Sequence, residues 1–140
     1  MAEEIQVTAT AREGWATDVT VRTHALRIDE PESAGGEDTG MMPTEAFMAS
    51  IAACFCMSVA WAGRKRDLEV PGLTVVVTAR RAGLQLRYGH IDVETRAEVD
   101  DETLALLVER ARPACWVSNT LAAGAEVEYR HTSLDARFRK

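Results

Sequence analysis

Apolar and polar positions alternate along the first part of the chain. Ile5–Thr10, Trp15–Arg22 and His24–Asp29 are rich in β-branched residues with partial period-two alternation, broken at Glu13 and Gly14, which predicts an N-terminal β-meander. From Asp29 to Gly40 the pattern dissolves into acidic residues and glycines, a long loop of the kind that often borders a site. Pro43 then suits the first turn of a helix, which the pattern carries to about Asp67 before Pro71 and Gly72 stop it. This helix is apolar around its whole circumference, so a sheet and either another helix or a second subunit must cover it, and a homodimer follows. Leu73–Arg81 and Arg87–Val99 predict a β-hairpin turning near Gly83, with Ile91, Val93, Thr95, Ala97 and Val99 on one face. Asp100 and Asp101 open a second helix over Glu102–Arg112, with Leu104, Leu107 and Val108 inward and Pro113 at its end. A short helical turn at Val117–Ala123 leads through Gly124 to a last strand, Glu126–His131. The order is β-meander, long central helix, hairpin, second helix and final strand: an α+β arrangement without βαβ alternation.

Composition narrows the class. At 140 residues, 46% hydrophobic and 27% charged, residues 1–140 form one soluble globular domain. Sixteen Lys plus Arg against 22 Asp plus Glu leave a net charge of −6, which repels phosphate backbones and anionic lipid, so neither nucleic acid nor membrane is an expected partner. The charge-free run Ala46–Gly63 touches the lower length for a membrane span, but its Ala, Ser, Cys and Gly content reads as a buried helix. Met1–Gln6 has no apolar signal core, so the cytoplasm is the expected compartment, where Cys54, Cys56 and Cys115 stay reduced or redox-active. Gly35, Gly36 and Gly40 match no nucleotide-binding loop.

The cysteines are the candidates for reactivity, since a thiolate is both nucleophile and metal ligand. Cys54 and Cys56 lie about 200° apart on a helix, which disfavours a shared metal or a bridge between them. His24, His90 and His131 are scattered singletons, so no metal or cofactor is expected. Cys54 shares a helix face with Phe47, Ile51, Ser58 and Trp61 while Cys56 joins a different face, and on residue type alone both read as small core residues. Cys115 is different: it stands at the amino end of a short helix, where the dipole lowers a thiol pKa.

The run Asp29-Glu-Pro, Gly35-Gly36, Asp38-Thr39-Gly40, Pro43-Thr44-Glu45 and Ala52-Ala53-Cys54, then Cys115 before Val117-Ser118-Asn119-Thr120-Leu121, resembles the OsmC/Ohr family of osmotically inducible and organic-hydroperoxide-resistance proteins. The likeness covers nearly the whole chain. It implies an intertwined homodimer whose interface sites reduce organic hydroperoxides, with Cys54 attacking, Cys115 resolving and an external dithiol, such as a lipoyl group, restoring the pair. It also implies a cation beside Cys54, for which Arg12 is the candidate. Where the peroxidase branch carries an acid that orients this arginine, the chain has Thr44, with Glu45 next; in a regular helix Glu45 falls about half a turn from Cys54. The family's Cys-Pro is here Cys115-Trp116, with the proline at Pro113. Met41, Met42, Phe47, Phe55 and Trp116 are expected to form an apolar entrance that favours organic over hydrogen peroxide. The competing reading keeps the fold as an OsmC-like stress protein that binds an apolar ligand or partner at the dimer cleft with little turnover.

Overall fold

The computed structural model describes residues 4–138. The predicted meander forms as β1 (Thr8–Ala11), β2 (Thr17–Val21) and β3 (His24–Ile28), an antiparallel sheet in the order β1-β2-β3. Thr8 faces Thr20 and Thr17 faces Ile28, so the β-branched residues lie across from one another along the ladder.

The loop that follows is closed rather than loose. Asp29, only 2% exposed, accepts hydrogen bonds from the Glu30 N–H (2.8 Å), the Thr39 N–H (3.1 Å) and the Thr39 hydroxyl (2.6 Å). One buried carboxylate thereby ties the two ends of the loop together, and a bridge between Ile28 and Met41 continues the closure. Gly36 and Gly40 are needed at close approaches: a Cβ on either would overlap the carbonyl oxygen of Glu30 or of Arg27.

Pro43 begins α1 (Pro43–Arg64), the longest element. The helix stops short of Asp67, where the backbone turns left-handed (φ 54°) and the Leu68 N–H returns to the Gly63 carbonyl at 3.0 Å. By length and hydropathy α1 is able to cross a membrane, and 33% of its most apolar window is buried inside the chain. Here it is the helix on which the rest assembles. The hairpin β4 (Thr74–Arg81) and β5 (Tyr88–Arg96) contacts α1 through β4, whose Val75, Val77 and Ala79 positions alternate inward, as does Leu73 just before it. β5 ends at Arg96 instead of Val99 because Arg96 already pairs with Thr74, the first residue of β4.

α2 (Asp101–Ala111) is capped by Asp100, whose carboxylate accepts from the Thr103 N–H (2.9 Å) and hydroxyl (2.7 Å). A 3-10 turn, Arg112–Ala114, then leads to α3 (Trp116–Ala123). The core lies where α1, α2 and the start of α3 converge: Phe55, Val59, Ala62, Leu107, Ala111 and Cys115. The three-stranded sheet stands apart, with few contacts to α1.

The expected final strand does not form. Glu126–His131 is exposed and without regular structure. The stretch has strand-like composition, but a strand also needs a neighbouring edge to receive its N–H and C=O groups, and among the described residues no edge pairs with it.

Candidate functional site

α1 carries Cys54 near its middle, half-buried, on the side turned toward α3 and the core. Glu45, expected to reach toward it, does something else: its carboxylate accepts the Met42 N–H at 2.8 Å and caps the first turn. The helix is regular from Pro43, so Glu45 stays half a turn away from Cys54.

Cys115 occupies the N-cap of α3 in extended backbone (φ −85°, ψ 101°) and is fully buried. Its carbonyl accepts the Asn119 N–H at 3.0 Å, and the Asn119 side chain donates to the Pro113 carbonyl at 2.9 Å, which fixes the entry to the helix. Pro113 thus stiffens the approach to the cysteine from two residues upstream, in place of a proline directly after it. The Cys54 side chain packs against the cluster that contains Cys115, and the two cysteines are not joined in a disulfide.

Burial pushes the Cys115 thiol up. The opposing hydrogen bonds from Ser118, through hydroxyl and N–H, then from Cys54 and the Val117 N–H, outweigh it and hold the thiol below its ordinary value. The sulfur makes no fully formed cap bond, so the N–H groups of the first turn act on it mainly as oriented dipoles. The Ser118 hydroxyl has one proton to give, and it also lies 3.3 Å from the Cys115 carbonyl. Ser118 escaped the sequence reading, although Cys-x-x-Ser at a helix start places it at N3, where an N-cap side chain finds its donor.

Other expected site residues lie elsewhere. Arg12 donates to Asp18 at 2.6 Å, and Arg27 donates to the same carboxylate at 2.6 Å, so the arginine is held within the three-stranded sheet. Cys56 is half-buried on a different face of α1. Phe55 is a core residue at 8% exposure, not a pocket wall. Met41 bridges to Ile28, and Met42 is the N-cap of α1. Trp116 is exposed and, with Pro113, Asn119 and Thr120, borders a shallow hollow at the start of α3.

Of the five expected entrance residues, Phe47 alone lines the main cavity, about 620 Å³ between the first turns of α1, the hairpin tip and Leu121. Leu86, Tyr88 and Ile91 make it apolar, and Arg81 and Arg87 stand at its wall. Phe47 lies two turns before Cys54 on the same face of α1, about 10 Å along the axis. The sequence reading missed the hairpin-tip residues, because nothing in their local pattern shows that the tip folds back over the start of α1.

The family model for OsmC-like proteins matches residues 35–130. A comparison with curated proteins finds no match. Among solved structures, the chain is similar to an OsmC-like protein from Mycoplasma pneumoniae, 17% identical with a TM-score of 0.74, covering 87% of this chain and 89% of that one. It is similar to an organic hydroperoxide resistance protein OsmC from Legionella pneumophila, with 18% identity, a TM-score of 0.64 and coverage of 86% and 90%. It is also similar to the organic hydroperoxide resistance protein OhrB of Bacillus subtilis, with 25% identity, a TM-score of 0.57 and coverage of 84% and 90%. With the family model spanning most of the chain and the same α+β fold in these neighbours, this protein belongs to the OsmC-like family.

Proposed function

We propose that this chain is a thiol peroxidase that reduces organic hydroperoxides, with Cys54 as the attacking and Cys115 as the resolving thiol. The observation that carries the reading is the packing of Cys54, on α1, against the cluster that holds Cys115 at the head of α3. The Cys54 sulfur attacks the outer peroxide oxygen, the O–O bond breaks, an alcohol leaves and Cys54 becomes a sulfenic acid. Cys115 then attacks the Cys54 sulfur, closing a disulfide and releasing water, and an external dithiol of lipoyl type restores the pair.

The names of the Legionella and Bacillus neighbours favour the same chemistry. The apolar cavity beside Phe47 is lined by neither cysteine but lies on the same side of α1 as Cys54, which supports an apolar substrate approaching along that face. A homodimer is supported by the apolar face that α1 leaves uncovered, with Phe47 42%, Met57 73% and Trp61 48% exposed. The hairpin-tip residues Leu84 and Leu86, exposed at 94% and 99%, would extend the same contact.

Consumption of cumene hydroperoxide in the presence of a dithiol, measured for wild type, Cys54→Ser and Cys115→Ser, tests the assignment. Cys54→Ser is expected to fall to the uncatalysed level, and unchanged activity in that variant overturns it. A second reading, a binder of apolar ligands with little turnover, draws on Arg12 being held by Asp18 and Glu45 by the Met42 N–H. Intact mass after mild peroxide separates the two: a peroxidase loses two hydrogens as Cys54 and Cys115 join, and a binder loses none.

A further inference from the structure

We infer that Arg81 and Arg87, at the tip of the β4–β5 hairpin, give the apolar cavity a carboxylate-reading head, so that this chain selects hydroperoxides with an anionic end over neutral ones of the same length. The binding stands by itself; the turnover rests on the peroxidase reading above.

The hairpin tip is where the charge of the chain reverses. Residues 79–90 hold three arginines and no Asp or Glu, in a chain of net charge −6. Among the described residues neither Arg81 nor Arg87 has an ion-pair partner, and the acceptors they meet are neutral. Arg81 donates Nε to the Gln85 carbonyl at 2.9 Å and Nη2 to the Leu84 carbonyl at 2.9 Å, and Arg87 donates Nε to the side-chain oxygen of Gln85. Gln85 thereby holds both guanidiniums at the wall of the cavity. Arg81 uses two of its five N–H donors in this way and Arg87 one, which leaves the outer N–H groups to a ligand. Two long side chains are already ordered by the tip, so binding does not have to order them.

The rest of the lining shows what lies behind the charge. Phe47, Leu86, Ile91 and Leu121 make the cavity apolar, and its volume of about 620 Å³ is that of a cleft for one small molecule. Thr44 brings a neutral hydroxyl from α1, and the carboxylate of Glu45 beside it is turned to the Met42 N–H, so no carboxylate lines the cavity. Two cations without an acid, at the wall of an apolar cleft, complement an apolar tail that ends in an anion. A carboxylate matches the paired N–H groups of a guanidinium, whereas a neutral hydroperoxide fills the apolar part and leaves both arginines to water. The volume suits a single tail, which favours a free acid over a two-tailed lipid. Cys54 lies beyond Phe47 on the same face of α1, about 10 Å along the axis, so the reacting group stands well down the tail from the carboxylate.

Binding is measured first, by calorimetry with lauric acid and with dodecanol, its neutral counterpart, neither of which carries a peroxide. Lauric acid is expected to bind about 10-fold more tightly, with the advantage shrinking as salt rises, and the Arg81→Gln/Arg87→Gln double variant is expected to bind the two alike. Equal affinities in the parent, or an advantage that survives in the double variant, overturn the inference. Should the double variant disturb the tip, seen by circular dichroism, Thr44→Glu decides it: this residue lies on the α1 wall, outside the hydrogen bonds of the tip, and a new carboxylate there is expected to abolish the advantage of the acid. An advantage that Thr44→Glu leaves intact overturns the inference. Arginine-dependent capture by phosphatidylglycerol vesicles, without binding of lauric acid, overturns it in favour of a lipid surface. Turnover is then compared for linoleic acid hydroperoxide and its methyl ester. The preference for the acid in kcat/KM is expected to fall about 10-fold in Arg87→Gln, through KM rather than kcat. A parent that consumes both at the same kcat/KM overturns the inference and keeps the peroxidase reading. Arginine-dependent binding of lauric acid by a parent that consumes no hydroperoxide upholds the anionic head and overturns the peroxidase reading.

Discussion

Asp29 shows how a buried carboxylate is held by the donors of its own loop. The Thr39 hydroxyl, then the Thr39 N–H, hold the Asp29 carboxyl below the usual carboxylate range despite its burial. A group whose pKa is lowered by folding stabilises the folded state above its unfolded pKa and loses that contribution as pH falls through the folded value. The stability difference between wild type and Asp29→Asn is therefore expected to be full near neutrality and to shrink progressively below about pH 4, read by urea unfolding at a series of pH values. A pH-independent difference would mean that the loop is held by shape alone. At this scale the sequence was legible where a residue's role follows from its immediate neighbours: Cys115 at a helix head, Asp100 as a cap and Pro43 in a first turn were all readable. Glu45 was not, because the backbone N–H that claims it is released only by the way the chain enters α1.

Between elements, the site depends on how α2 and α3 lie against α1. Leu107 of α2 is fully buried among Val59, Ala62, Ala111 and Cys115, so it supports the floor beneath the cysteine pair. Leu107→Ala is expected to cost about 3 kcal/mol, measured by denaturant unfolding, because the cavity left behind has no solvent and no flexible neighbour to fill it. The helices and the hairpin were legible from period and capping residues, to within a few residues at their ends. The terminal stretch Glu126–His131 was not, since alternation and β-branched content describe a strand's side chains and leave its pairing partner unspecified.

For the whole molecule, the side of α1 away from α2, α3 and β4 is decisive. A helix without charge from Ala46 to Gly63 has more apolar surface than α2, α3 and β4 bury, and Met57 and Trp61 stand out on the remainder. Met57→Glu is expected to convert a dimer to a monomer in light scattering while the far-ultraviolet circular dichroism of the subunit persists. A monomeric wild type would sink the dimer reading. The division between what could be read early and what could not follows from the range of the forces. The chain by itself determined the α+β order, the long apolar helix, the helix-head position of Cys115 and the family likeness, because each rests on neighbours within a few positions or on a motif. Tertiary structure alone decided that Cys54 meets Cys115, that Arg12 is held by Asp18, and that the hairpin tip walls the cavity beside Phe47. Those contacts join distant segments, and which segments meet is set by the packing of the shared core rather than by any local pattern.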